Sequence, residues 1–214
     1  MHLGRTEGGT RADAFQQGGP SSRGDKGELS MKRLVVGLLL AGLAAAPASA
    51  ALKPGAAAPQ FATQASLGGK VFKFDLAQTL KKGPVVLYFY PAAFTPGCTI
   101  EAHEFADATD DFKKMGATVI GVSRDDIDKL NKFSVSECRS KFAVAADGDG
   151  KITNAYDVAL KMPASMGGRE VANRTSYVIA PDGKVIYEYT SLDPSKHVAN
   201  TMEAVKGWEA SHKR

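Results

Sequence analysis

An uninterrupted apolar run at positions 85–90 constrains the fold of this chain more than any other feature. The run reads Val-Val-Leu-Tyr-Phe-Tyr and lies between Pro84 and Pro91. Residues of this kind favour strands, and a run without polar alternation predicts a strand that is buried on both faces. Proline cannot donate to a strand ladder, so the strand is expected to end at Pro91. A similar run at 117–122 predicts a second buried strand.

Helical patterns alternate with strands along the rest of the chain. Apolar residues at helical spacing predict helices over 98–115, 125–138, 152–158 and 194–213. Shorter strands are expected at 71–74, 142–146, 176–180 and 184–190, with a hairpin turn at 181–183 and a loop at 161–173. The order β-α-β-α-β-α-β-β-α predicts an α/β domain whose central sheet is covered by helices on both faces.

Residues 31–50 predict a secretory signal peptide. They begin with Met-Lys-Arg, continue through an apolar run at 34–46, and end with a small-residue exit, Ala-Ser-Ala, at 48–50. A membrane anchor is the alternative, but the apolar run is too short to span a bilayer comfortably. We therefore expect an exported protein without a stable membrane anchor, which would be periplasmic in a Gram-negative host.

The folded domain is expected to occupy residues 51–214. Residues 1–30 are rich in glycine and lack a hydrophobic period, so we expect a disordered upstream extension, with Met31 as the true start. The whole chain carries 27 basic and 23 acidic residues, a net charge of +4. Without the first fifty residues, the chain carries 21 basic and 19 acidic residues, a net charge of +2. A charge this small and scattered predicts no nucleic-acid partner.

Cys98 is the candidate catalytic nucleophile. It follows the strand at 85–90 and lies in the first turn of the next predicted helix, just after the tight turn at 96–97. Unpaired backbone N–H groups at a helix start stabilise a thiolate, which is the reactive form of cysteine. Thr95 can place a hydroxyl beside the sulfur or beside a bound oxygen ligand. A small buried cysteine without function is the alternative, but these features together favour a nucleophile.

Three separated motifs resemble those of the peroxiredoxins. Residues 91–102 read Pro-Ala-Ala-Phe-Thr-Pro-Gly-Cys-Thr-Ile-Glu-Ala and carry the P-x-x-x-T-x-x-C pattern of that family. Residues 55–61 are similar to its G-x-x-A-P-x-F motif, and residues 174–183 to its R-x-(S/T)-(F/Y) strand and turn. The chain most resembles the bacterioferritin-comigratory, or Q-type, branch of the AhpC/TSA family. The resemblance runs from about Gly55 to Trp208 and implies a thioredoxin-like fold with a central mixed sheet.

The resemblance also implies roles for four residues. Cys98 would be the peroxidatic cysteine, attacking the O–O bond of a peroxide as a thiolate. Thr95 would hydrogen-bond the peroxide, Arg174 would stabilise the thiolate and the developing charge, and Pro91 would shield the sulfur. These roles are physically reasonable, because a guanidinium is always charged and donors aimed at a displaced oxygen lower the barrier.

The implied cycle needs a reductant but no cofactor or metal. The first product is a sulfenic acid, which condenses with a second thiol. The expected substrates are hydrogen peroxide and organic hydroperoxides, and the expected reductant is a thioredoxin-like protein or a small thiol. We expect a monomer, with a dimer as the alternative.

The chain differs from much of this branch in the position of its second thiol. A resolving cysteine is often found five residues after the peroxidatic one, but His103 stands there, and we expect it to be a solvated helix histidine. Cys138, near the end of the predicted helix 125–138, is the other thiol. An unbroken helix would place it on the inward face as a packing residue. An oxidising compartment disfavours an idle thiol, so Cys138 is the candidate resolving cysteine, and an external thiol is the alternative.

Other functional classes fit the sequence less well. A thioredoxin-like thiol-disulfide oxidoreductase of the periplasm needs Cys-x-x-Cys, and Thr95 stands at the first of those positions. An EF-hand loop starting at Asp147 would have Lys151 at its fifth position and Val158 at its twelfth, where a Glu is required. Zinc is disfavoured because two distant cysteines and scattered histidines lack ligand spacing.

Overall fold

The structure, a computed structural model, describes residues 51–212, so the predicted extension 1–30 and signal peptide 31–50 lie outside it. Within this range no helix is both long enough and apolar enough to cross a membrane. The strands are β1 (Ala62–Leu67), β2 (Lys70–Asp75), β3 (Val85–Phe89), β4 (Thr118–Ser123), β5 (Ala143–Ala146), β6 (Ala159–Lys161), β7 (Glu170–Ala172), β8 (Thr175–Ile179) and β9 (Val185–Thr190). The α-helices are α1 (Leu76–Leu80), α2 (Pro96–Lys114), α3 (Ile127–Ser136), α4 (Lys151–Ala155) and α5 (His197–His212).

Seven of these strands form one mixed sheet in the order β2-β1-β5-β4-β3-β8-β9. The strands β3, β4 and β5 are parallel, and the flanking pairs are antiparallel. The predicted apolar strand therefore lies near the centre of the sheet, where all five residues of β3 are buried. The mixed sheet and the covering helices confirm the predicted thioredoxin-like α/β fold.

Side chains alternate along β3 between two apolar cores, one on each face of the sheet. Val85, Leu87 and Phe89 pack on the face covered by α1 and α4. Val86 and Tyr88 pack on the opposite face, covered by α2, α3 and α5. Both cysteines belong to this second core. Both thiols therefore lie on the face that carries the three longer helices.

A glycine in β4 makes room for the aromatic layer under α2. Gly121 is the register partner of Tyr88, and a Cβ at position 121 would lie 2.7 Å from the Tyr88 ring. The Tyr88 ring therefore lies flat over the strand and stacks on Phe105 of α2, with ring centroids 4.4 Å apart. This stack sets the height of α2 above the sheet, and with it the position of the helix start.

Several elements differ from the sequence-based expectations. The strand β1 and the short helix α1 were not predicted, because β1 reads Ala-Thr-Gln-Ala-Ser-Leu and becomes a strand by pairing with β2 and β5. The prediction of a loop at 161–173 is wrong in part, since β6 and β7 form a small antiparallel hairpin there. The last helix starts at His197, after a 3₁₀ turn at Pro194–Lys196.

Candidate active site

The start of α2 holds Cys98 in its first turn. Thr95 is the N-cap residue in an extended conformation, and Pro96 occupies the first helical turn, where its missing N–H costs no hydrogen bond. Cys98 follows two residues later and is only 1% exposed. Its sulfur therefore lies beside the positive end of a helix of 19 residues, as the sequence predicted.

The loop that precedes α2 is fastened to the end of β4. The backbone N–H of Ala93 donates to Oδ2 of Asp125 at 2.7 Å, and the Ser123 hydroxyl donates to the same oxygen at 2.9 Å. Phe94 has a φ of 66°, which is unfavourable for a residue with a side chain. Its ring contacts Phe133 of α3 edge-on at 5.2 Å. These contacts hold the loop in the strained turn that delivers Thr95 to the helix start.

Arg174, between β7 and β8, brings its guanidinium to the sulfur. The side chain is 4% exposed, and Nη2 lies 3.5 Å from Sγ of Cys98. Nε donates to the carbonyl of Leu192 at 3.0 Å, which fixes the orientation of the fork. A Cβ at Gly97 would lie 3.1 Å from Nη2, so the absence of a side chain there allows the close approach. The predicted pairing of Arg174 with Cys98 is present in the structure.

Glu101 is a site residue that the sequence analysis missed. It lies one turn after Cys98, is fully buried, and accepts a hydrogen bond from Nη1 of Arg174 through Oε2. Burial raises the pKa of Glu101 to about 8, although Arg174 acts to lower it. For Arg174, burial opposes the charged form, but Glu101 and Cys98 together raise its pKa. A signal existed, because Glu101 stands four residues before Phe105 on the buried face of the predicted helix.

His197 is the second residue that sequence reasoning missed. It is fully buried at the start of α5, and its Nδ1 lies 2.8 Å from the Ser176 hydroxyl and 3.7 Å from Oε1 of Glu101. Nε2 lies 2.9 Å from the carbonyl oxygen of Ser191. Burial lowers the pKa of His197 to about 4, so the ring is neutral at pH 7. No local pattern marks it, because its partners come from distant parts of the chain.

Thr95 and Pro91, the other two predicted site residues, lie on the exposed side of the site. The Thr95 side chain is exposed, and its hydroxyl donates to the carbonyl of Ala92 at 2.9 Å. The hydroxyl oxygen keeps its lone pairs available as an acceptor. Pro91 is half-buried at the point where the loop leaves β3. Their predicted roles toward a peroxide stay predictions.

Cys138 lies outside α3, which corrects the predicted helix 125–138. The helix ends at Ser136, and the next residues turn sharply, with φ of 49° at Arg139 and 55° at Ser140. Hydroxyl side chains compete for backbone groups, which weakens the helix end. Cys138 is nevertheless fully buried, and burial, with a smaller contribution from Glu137, raises the pKa of its thiol. Both cysteines are free and buried in the same apolar core.

Two ion pairs and one histidine–carboxylate contact connect α2 to the segment that carries Cys138. The pairs, which we call the α2 ladder, are His103–Glu137 at 2.9 Å, Asp107–Arg139 at 2.5 Å and Asp110–Lys141 at 2.9 Å. The α2 members are spaced at helical intervals, so they form one stripe along the helix. His103, expected to be solvated, is therefore a half-buried partner of Glu137.

Asp147, the first residue of the run that resembles an EF-hand loop, accepts three hydrogen bonds at the start of α4. Oδ1 of Asp147 accepts the N–H of Ile152 at 3.0 Å, and Oδ2 accepts the N–H and hydroxyl of Thr153 at 2.7 and 2.6 Å. This carboxylate therefore fixes the start of α4. Across residues 51–212, no group of three or more His, Cys, Asp or Glu side chains is arranged to hold a metal ion.

Comparison with known proteins identifies relatives along most of the described domain. The AhpC/TSA family model matches residues 54–188. Peroxiredoxin Bcp of Bacillus subtilis (strain 168) is 34% identical over 140 residues, which cover 63% of this chain and 88% of the relative. Chloroplastic peroxiredoxin Q of Oryza sativa subsp. japonica is 35% identical over 153 residues, which cover 71% of this chain and 66% of the relative, just under two thirds.

Solved structures agree with the sequence comparisons. Peroxidoxin BcpB from Mycobacterium tuberculosis superposes with a TM-score of 0.65 at 29% identity, covering 73% of this chain and 97% of that one. Peroxiredoxin Q of Xanthomonas campestris superposes with a TM-score of 0.60 at 27% identity, covering 68% and 90%. Together with the buried cysteine–arginine pair at the start of α2, these similarities show that the chain belongs to the AhpC/TSA family and resembles its peroxiredoxin Q and Bcp members.

Proposed function

We propose that this protein is a thiol peroxidase that reduces hydrogen peroxide and organic hydroperoxides through Cys98. The observation that carries the proposal is the 3.5 Å contact between Nη2 of Arg174 and the buried sulfur at the start of α2. A positive side chain and a helix N-terminus both favour the thiolate, which is the nucleophilic form. The names of the similar proteins support the same chemistry.

The reaction begins with attack of the Cys98 thiolate on one peroxide oxygen. The S–O bond forms as the O–O bond breaks, which oxidises the sulfur to a sulfenic acid and reduces the other oxygen to an alcohol or water after it gains a proton from solvent. Arg174 stabilises the charge that moves from sulfur to the leaving oxygen. The Thr95 hydroxyl oxygen accepts a hydrogen bond from the peroxide hydroxyl, because its own proton is donated to the carbonyl of Ala92. Pro91 limits access of water to the sulfur.

A second thiol then reduces the sulfenic acid. Cys138 is the internal candidate. A disulfide with Cys98 requires Cα atoms within about 7 Å and a suitable direction of both side chains, and local unfolding around both cysteines would supply this geometry. The resulting disulfide would be reduced by a thioredoxin-like protein; a small thiol that attacks Cys98 directly is the alternative. We propose a monomer as the working unit, with a dimer as the alternative.

Intact-mass analysis after one equivalent of hydrogen peroxide tests both parts of this proposal. Wild-type protein should lose the mass of two hydrogens, because the Cys98 sulfenic acid condenses with Cys138 and releases water. The Cys138→Ser variant should instead gain the mass of one oxygen, because its sulfenic acid has no internal partner.

Each outcome of this experiment has a distinct meaning. An unchanged mass in both proteins would refute the peroxidase assignment. A gained oxygen in the wild type as well, or full turnover of Cys138→Ser with a dithiol reductant, would refute resolution by Cys138 and leave the external thiol.

We further propose that the protein is exported and that residues 31–50 are removed on export. The basic start, apolar run and small-residue exit support this. Mass spectrometry of the protein from its native host, after release of the periplasm, should give a mature N-terminus at Ala51. A chain that retains residues 31–50 would contradict export, and an N-terminus before Met31 would contradict the proposed start.

A further inference from the structure

The peptide group between Ala92 and Ala93 carries a hydrogen bond at each of its two ends. Its carbonyl oxygen, on Ala92, accepts the hydroxyl proton of Thr95 at 2.9 Å. Its N–H, on Ala93, donates to Oδ2 of Asp125 at 2.7 Å. Because a peptide group is planar and rigid, the orientation of one end fixes that of the other. Thr95 is therefore connected to Asp125 through a single peptide group.

The carboxylate of Asp125 is itself held in place. Its side chain is only 9% exposed, and the Ser123 hydroxyl donates to Oδ2 at 2.9 Å. Nζ of Lys129, in α3, donates to the other oxygen, Oδ1, at 2.7 Å. Hydrogen bonds to a charged acceptor are stronger than those between neutral groups, and solvent screens a buried carboxylate little. Asp125 is therefore a rigid, charged anchor for the N–H of Ala93.

The active-site loop depends on such an anchor because of the backbone at Phe94. Its φ of 66° is unfavourable for a residue with a side chain and persists only where surrounding contacts hold it. The Phe133 ring supports the Phe94 side chain at 5.2 Å but does not fix the peptide group before it. Ala93 is 3% exposed, so its N–H would lose its partner in a buried place if Asp125 were removed. Without Asp125, we expect this peptide group to rotate toward another acceptor.

We propose that Asp125 is a positioning residue for the peroxide: through the peptide group between Ala92 and Ala93, it orients the hydroxyl of Thr95. The negative charge of the carboxylate polarises the peptide group, which makes the Ala92 carbonyl a better acceptor for the Thr95 proton. The Thr95 oxygen is thereby held as an acceptor for the peroxide hydroxyl. The inference deepens the proposed function and rests on it, since the role of Thr95 belongs to that function.

The ionisation of Cys98 has a separate support. Nη2 of Arg174 lies 3.5 Å from the sulfur, and the same side chain is held by the Leu192 carbonyl and by Glu101. None of these contacts involves Asp125 or the peptide group that it binds. Loss of Asp125 should therefore slow the reaction with peroxide without changing the pH at which the thiolate forms. A general loss of structure at the site would change both.

Three variants should differ in the rate of the first reaction with peroxide. Asp125→Ala should lose at least about tenfold, because a small displacement of a positioned group costs a large part of the rate. Asp125→Asn should stay within about threefold of wild type, since its carboxamide oxygen can still accept from Ala93. Adding Asp125→Ala to Thr95→Val should cost less than about twofold further, because Asp125 acts through the hydroxyl that Thr95→Val removes.

Two measurements separate the effect on the peroxide from an effect on the thiol. Single-turnover stopped-flow rates with excess hydrogen peroxide report the first step. The rate of iodoacetamide alkylation as a function of pH, in a Cys138→Ser background, reports the ionisation of Cys98, and its midpoint should be unchanged in Asp125→Ala. The matched control is Asp128→Ala, which removes an exposed carboxylate three residues later, in the first turn of α3. Its first-step rate should stay within about twofold of wild type.

The outcomes distinguish the inference from the proposed function. An Asp125→Ala rate as close to wild type as that of Asp128→Ala would overturn the inference. So would an alkylation midpoint that shifts together with the rate, or a double variant that loses the full factor on top of Thr95→Val. If Asp125→Ala does not fold, Asp125→Ser, whose side chain is too short to reach Ala93, is measured in its place. A wild type that does not react with peroxide would refute the proposed function itself.

Discussion

Cys98→Ser will abolish peroxide consumption, with a loss of at least about 10³-fold in rate. Serine has nearly the same size and fits a buried position, but its hydroxyl does not ionise near neutral pH and cannot act as the nucleophile beside Arg174. The side chain at this position is 1% exposed and packs in the core under α2, so the fold should be kept. Stopped-flow assays of peroxide consumption with a dithiol reductant will measure the effect.

The matched control is Cys138→Ser, which removes the other buried thiol of the same core. It should keep the fast first reaction with one equivalent of peroxide, even though its recycling slows. Peroxide turnover that persists in a folded Cys98→Ser protein would mean that another group carries the reaction, and the proposed mechanism would then lose its basis.

Arg174→Gln will slow the reaction of Cys98 with peroxide by about 10²-fold or more. The substitution removes the charge from a side chain that contacts both the sulfur and Glu101. The thiolate loses its stabilising partner, and the leaving oxygen loses a donor. The rate of Arg174→Lys should lie between those of the wild type and Arg174→Gln. Lysine keeps the charge but lacks the forked guanidinium that contacts both Cys98 and Glu101.

Single-turnover rates with excess peroxide will measure this effect on the first step alone. Arg139→Gln is the control, because Arg139 is an exposed arginine that pairs with Asp107 on the outer side of α2. Surface pairs of this kind contribute little, so its first-step rate should stay within about twofold of wild type. A rate for Arg174→Gln as close to wild type as that of the control would contradict the role given to Arg174.

The central part of the fold could be predicted because its signals are local. An unbroken apolar run identifies β3, and Pro91 marks its end. The turn that follows and the helical spacing after it place Cys98 at a helix start. The strand β1 carries no such signal, since it alternates weakly and is stabilised by pairing with its neighbours in the sheet. Tertiary context decides elements of that kind.

The same distinction explains which site residues could be predicted. Cys98 and Thr95 lie within one short motif, and Arg174 belongs to a second motif in the same family order. Glu101 is an acidic residue on a face that otherwise faces the core, which is a signal only after its cationic partner is known. His197 is brought to the site by the packing of α5 on α2, and no pattern near it in the chain reports that contact.

The α2 ladder has a consequence for how the two sulfurs become accessible. Helix α2, which supplies one residue to each contact of the ladder, also carries Cys98 in its first turn. The partners of these residues, Glu137, Arg139 and Lys141, lie on either side of Cys138. Releasing the Cys138 segment therefore breaks three side-chain contacts of the Cys98 helix in the same event, so we expect the two regions to open together. Because the Asp107–Arg139 and Asp110–Lys141 ion pairs are partly exposed, dissolved salt weakens them together. Each pair contributes little by itself, but ionic strength should change the accessibility of both thiols in the same direction.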